Sequence, residues 1–248
     1  MRDRRPHLAL STALTTLACG APTPADAPPR ERADEATPAA DDRRCKPAPG
    51  TSGAPKTIDE AIALANGLPF PVTAECFVEA LDRPLQIEAT RSERSLQKAK
   101  GARSPRVFLW SADSLVISIV LDGDARDLIE FGQVVTPRRS IKAELKFPLE
   151  APVTAKTAYD RVRNPEHPNI TVCFVCHDRE EDVPEIEGAR SSLALRPRPS
   201  TLVEVDALRD EHARCDPAAE PARCAYLEAL MGHGPVEHRA FDDVLRVF

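Results

Sequence analysis

The chain has 248 residues, a formal net charge of −6 and a pI near 5.6. Its 42% apolar and 29% charged residues are the proportions of a folded globular protein. The acidic balance argues against the basic face of a nucleic-acid binder, and no apolar run reaches the ~18 residues of a membrane span.

The N-terminus reads as an export signal. Met1-Arg2-Asp3-Arg4-Arg5 is basic on balance, residues 7–18 are a short run rich in Leu, Ala, Ser and Thr, and small residues follow at Ala18-Cys19-Gly20. The segment 1–19 resembles the signal and lipobox of bacterial lipoproteins, although Thr16 stands where Leu is usual. The resemblance implies acylation of Cys19 and a lipid anchor in the periplasm or outer membrane. Plain cleavage and release is the alternative. Residues 20–56 are dominated by Ala, Pro, Asp, Glu and Arg, too poor in large apolar side chains to offset their chain entropy, and read as an extended tether. Cys45 within it either stays unpaired or pairs with Cys76.

Residues 57–150 read as a β-rich module. Thr57 and Asp59-Glu60 open a short helix, with Ile58, Ala61, Ile62 and Ala65 at helical spacing and Gly67 closing it. A second short helix is expected over 73–81. From residue 85 the period changes to two, and strands are expected at 85–89, 107–110, 115–121, 128–135 and 141–147. In the last of these Ile141, Ala143, Leu145 and Phe147 alternate with Lys142, Glu144 and Lys146, the pattern of a sheet with one wet face. The fold class expected is α+β, with an antiparallel small sandwich or curled sheet. This segment has no histidine, and Asp122, Asp124 and Asp127 lack EF-hand spacing, so they read as a solvated turn.

Residues 151–248 read as a cysteine-rich, mostly helical module. Loops surround Asn164-Pro165 and His167-Pro168, and a short strand is expected at 192–195. Helices are expected over 205–215 and 222–231. Cys215 and Cys224 fall at the facing ends of those helices, where a disulfide would staple the hairpin in an exported protein. His167, His212 and His238 read as surface residues.

The sharpest chemical signal is Cys173-Phe174-Val175-Cys176-His177. Two cysteines separated by two residues and followed at once by histidine match the haem-attachment pattern. In these five residues the chain resembles the c-type cytochromes. The resemblance implies that Cys173 and Cys176 form thioethers to one haem c, with His177 as proximal iron ligand. A distal ligand is then available by residue type at Met231 or His233. Two rivals stand beside haem: a Cys173–Cys176 disulfide, and a zinc site that adds Cys215 and Cys224. The expected function is electron transfer or redox sensing with an unidentified redox protein as partner, not substrate turnover. The alternative is a disulfide-stabilised envelope protein that binds a partner through its sheet and carries no cofactor.

Overall fold

The computed structural model describes residues 42–248. The expected signal segment, Cys19 and most of the tether lie outside the described residues. The described part is a mixed α+β fold with one large, mostly antiparallel sheet and five α-helices.

The chain enters through helices α1 (Ile58–Asn66) and α2 (Ala74–Glu79). Each is started by a threonine whose hydroxyl accepts from a backbone N–H of the first turn: Thr57 from Glu60 and Thr73 from Cys76, both at 3.1 Å. Cys45 is disulfide-bonded to Cys76, which fastens the segment before α1 onto α2.

Strands β1 (Leu85–Thr90), β2 (Arg106–Ser111), β3 (Leu115–Val120), β4 (Leu128–Thr136) and β5 (Arg139–Lys146) form an antiparallel meander. The pairing places Ile87, Leu109, Ile117, Phe131 and Ala143 side by side in one row across five strands. That row is buried. Phe77 of α2 packs on it, its ring centroid 6.0 Å from Phe131 and 5.9 Å from Phe147. A pleat alternates side chains between faces, so one correct register buries the whole apolar set.

After β5 comes α3 (Ala155–Val162), an element not expected from the sequence. It is amphipathic over only two turns, burying Ala158, Tyr159 and Val162. Then follow the short strands β6 (Glu181–Asp182), β7 (Arg190–Leu193), β8 (Leu195–Arg196) and β9 (Leu202–Val203), helices α4 (Val205–Ala213) and α5 (Pro221–Met231), and strands β10 (Val236–His238) and β11 (Arg246–Val247). The sheet takes strands from either side of residue 150, in the order β10-β1-β2-β3-β4-β5-β7-β6, with β9 also pairing with β1. β8 and β11 make a separate parallel pair. Cys215 and Cys224 are disulfide-bonded and close the turn between α4 and α5. Buried Arg223 braces the same turn, donating to the Arg103 carbonyl and pairing with Glu211 and Glu220. Among the described residues no helix is long and apolar enough to cross a membrane.

Candidate functional site

The second face of the sheet carries the row Gln86, Trp110, Val116, Gly132 and Lys142, and beside it Glu88, Phe108, Ser118, Glu130 and Glu144. Alternation alone reads this face as wet. Instead, later segments of the chain lie over it and leave a cavity of about 440 Å³. Val172, Cys173 and His177 wall one part, Ala194 and Leu195 another, and residues 239–245 a third. Phe241 fixes the last wall, its ring 5.0 Å from Phe108 and 4.6 Å from Trp110. Arg239 stacks over Trp110 at 5.3 Å, a cation–π contact.

The Cys-x-x-Cys-His segment is held by its neighbours. Cys173 lies in a 3-10 turn, Val172–Val175, started by Thr171, whose hydroxyl accepts from the Cys173 N–H at 3.1 Å. Glu180 accepts from the Thr171 N–H at 2.7 Å and also from its hydroxyl. Arg190 of β7 pairs with Glu180 at 3.4 Å. The His177 N–H follows the turn and donates to the Cys173 carbonyl at 2.8 Å. The motif is therefore anchored by a turn, a buried carboxylate and a strand, with no preceding α-helix.

His177 Nδ1 lies 2.8 Å from the Leu193 carbonyl, an acceptor, so this nitrogen carries the proton. Nε2 has no hydrogen-bond partner among the described residues. Burial, reinforced by the charges of Lys142 and Arg106, holds the imidazole down to about 3, so it is neutral at physiological pH. Burial likewise pushes the Cys173 thiol up to about 11, with the Glu130 carboxylate adding to it. Cys173 and Cys176 are free, whereas Cys45, Cys76, Cys215 and Cys224 are paired. Cys173 is half-buried; Cys176 is exposed and is not part of the cavity wall.

Lys142 and Arg106 supply positive charge on the cavity floor. Arg106 is matched: it pairs with Glu130 at 2.5 Å and donates to Ser118 Oγ at 2.7 Å. Lys142 donates to Ser140 Oγ at 2.7 Å and has no carboxylate at ion-pair distance among the described residues. Burial pulls its ammonium down to about 8. Burial raises the Glu144 carboxyl, as does Glu130, against the pull of Arg161 at 2.7 Å.

The structure brings together Cys173, His177 and Lys142, but neither Met231 nor His233. Met231 packs against the core with Cys45 and Cys76. His233 Nδ1 lies 3.2 Å from Asp42, and its Nε2 is 3.7 Å from Glu79 of α2. α2 covers the Phe131 face, so the sheet stands between these residues and His177. The distal-ligand expectation at Met231 or His233 therefore has no geometric support. A four-cysteine zinc site has none either, because Cys215 and Cys224 are bonded to each other; among the described residues no group of three His, Cys, Asp or Glu side chains could hold a metal ion. Lys142, Gly132 and Phe241 were missed in the sequence: a strand lysine, a strand glycine and a residue in an irregular tail carry no motif.

The titration of His177 makes the stability of the chain depend on pH. An unfolded imidazole titrates near 6.5. A group whose folded value lies lower gives stability that is fully present above 6.5 and lost as pH falls toward about 3. Between pH 7 and pH 4, denaturant unfolding should lose about 2–3 kcal/mol through this group. His177→Gln should flatten that part of the profile. An equal slope in the variant would place the imidazole in solvent.

Comparison with protein-family models, with curated proteins and with solved structures finds no match to this chain.

Proposed function

We propose that this is an exported, membrane-tethered c-type haem protein that acts in electron transfer or redox sensing, with one haem in the cavity over the polar face of the sheet. The observation that carries the reading is His177: its Nδ1 is committed to the Leu193 carbonyl, its Nε2 is unclaimed, and the ring shares a cavity wall with the free thiol of Cys173. Such a hydrogen bond fixes the tautomer and orientation of a metal-binding imidazole. Of the residues the haem would need, His177 and Cys173 lie in the wall beside Phe108, Trp110 and Phe241, which would face a flat apolar ring, whereas Cys176 lies outside it. Haem would supply one-electron redox chemistry. The protein would supply attachment through Cys173 and Cys176, proximal ligation through His177, and exclusion of water by the residues over the sheet. In this reading residues 151–248 are the cofactor-bearing, cysteine-rich module, and residues 57–150 provide the floor. Cys19 would anchor the chain by lipid in the periplasm or at the outer membrane.

Maturation by periplasmic haem-attachment machinery tests the reading. Intact-mass measurement should show one added haem that survives denaturing gels, and the paired substitution Cys173→Ala with Cys176→Ala should leave a colourless protein. A mass lower by two hydrogens, with no haem and a Cys173–Cys176 bond, refutes it. That result would favour the second reading, a disulfide-stabilised envelope protein that binds a partner and carries no cofactor. The observation on its side is the exposure of Cys176 outside the cavity wall.

A further inference from the structure

We propose that residues 239–248 form a hinged strap that opens and closes the cavity over the polar face of the sheet, with Phe241 as its latch. The inference rests on the functional reading only for the choice of cavity, and its test uses the chain made without the haem-attachment machinery.

The strap runs from the end of β10 to β8. At its near end the Arg239 N–H donates to the Ile87 carbonyl at 2.9 Å. At its far end β11 lies beside β8 in a two-residue parallel pairing, and the Phe248 N–H donates to the Arg196 carbonyl at 3.1 Å. Between these ends the strap supplies Ala240, Phe241, Asp242 and Leu245 to the cavity wall. Phe241 closes it: the ring packs on Phe108 and Trp110, and the Phe241 N–H donates to the Glu88 carboxylate at 3.2 Å.

The strap is weakly held. Not one residue from 239 to 248 is buried, and none belongs to the hydrophobic core. Its ion pairs, Arg239 with Asp113, Arg196 with Asp243 and Arg246 with Asp178, use carboxylates that are 94%, 92% and 52% exposed. Such surface pairs contribute little and weaken further in salt. A segment with few buried apolar contacts and exposed hydrogen bonds opens locally, without global unfolding.

The rest of the cavity is built differently. Its floor is the meander, whose other face carries the core. The wall beside His177 is tied down by Thr171, 3% exposed, through Glu180, whose side chain is 1% exposed and pairs with Arg190. β10 is also fixed, because Val236 is buried and its carbonyl accepts from Arg209 of α4. Movement is therefore confined to the chain beyond His238, the arrangement of a lid on a rigid frame.

Thiol access tests the gate. With Cys19→Ser and Cys176→Ser, Cys173 is the single unpaired thiol, and it stands on a different wall of the cavity from the strap. Deleting residues 246–248 removes the far anchor and leaves Phe241 and Leu245 in place. Alkylation of Cys173 by iodoacetamide should then speed up roughly tenfold, with the urea midpoint unchanged. Trp110, the one tryptophan of the chain, should become more open to acrylamide in the same variant. Arg196→Ala, which frees the Leu245 carbonyl and Asp243, should shift both readouts the same way by less. In the unaltered chain, the amides of Arg239, Phe241 and Phe248 should exchange hydrogen roughly tenfold or more faster than those of Thr171 and Cys176. Unchanged alkylation in a folded deletion variant overturns the gate, as does faster alkylation bought with a lowered urea midpoint. If the deletion variant does not fold, the unaltered chain still decides: exchange of the strap amides as slow as that of Thr171 and Cys176 overturns the proposal, and faster exchange supports it. Haem enters none of these measurements, so a chain that takes up no haem refutes the haem reading and leaves the strap standing.

Discussion

On the proposed haem reading, Gly132→Leu should prevent haem attachment and leave the fold intact. Gly132 sits in β4 on the cavity face, between Val116 and Lys142. A Cβ added there would meet nothing closer than Ser140 Oγ at 3.7 Å and the Val116 carbonyl at 3.8 Å, which are ordinary contacts. The rest of the new side chain would enter the 440 Å³ space itself. Replacing a strand glycine also removes an entropic penalty, so unfolding free energy should hold or rise by a few tenths to about 1 kcal/mol. A ring lying on the floor, in contrast, would meet overpacking worth about 1–3 kcal/mol. The yield of attached haem should fall roughly tenfold or more. Mass spectrometry gives the yield and urea unfolding gives the stability. Full haem loading of a stable Gly132→Leu protein would show that no ring lies against β4.

Phe131→Ala, one residue earlier, should do the reverse. Phe131 points to the other face, is 2% exposed and meets Phe77 edge-on at 6.0 Å. Truncation leaves a cavity between sheet and α2 and should cost about 3–5 kcal/mol. Loss of the edge-to-face pair is part of that cost. Domains are stable by only about 5–15 kcal/mol, so the urea midpoint should drop sharply. Any chain that remains folded should still keep the Lys142 face intact. A cost under about 1 kcal/mol would mean that α2 does not pack on this sheet. On the haem reading, adjacent residues of one strand thus separate stability from haem attachment.

The sequence made the meander readable because β1 and β5 alternate, β2 and β3 are β-rich runs split by a turn, and each strand pairs with its neighbour in the chain. Ile141, Ala143 and Leu145 are buried as their period implied. The two C-terminal helices were readable for a similar reason, with Pro221 opening α5 and Gly232 closing it. The outer strands were not readable. β6, β8, β9 and β11 are two residues each, too short for any period, and β10 exists because Val236 pairs with Leu85 far back in the chain. The cavity was hidden for a different reason. Lys142 and Glu144 alternate with apolar residues, and that pattern is identical whether the polar face meets water or a loop. Only the placement of residues such as Phe241 and Leu195, which follows from tertiary contacts, distinguishes the two. The Cys-x-x-Cys-His motif was visible by spacing, but its 3-10 turn and the Glu180 clamp depend on Arg190, beyond any local signal.

The pairing pattern also sets an order of assembly. β2 to β5 close through short connections and β1 joins them across residues 91–105, whereas β7, β9 and β10 must reach strands that lie far behind them in the chain. Loop-closure entropy makes such distant pairings late, so the floor should be laid before its walls. During that interval Cys173 and Cys176 are open thiols in a chain where Cys45 must find Cys76 and Cys215 must find Cys224. In an oxidising compartment the outcome becomes a kinetic race: correct closure of the two native bridges protects the motif, and delay exposes it to mispairing.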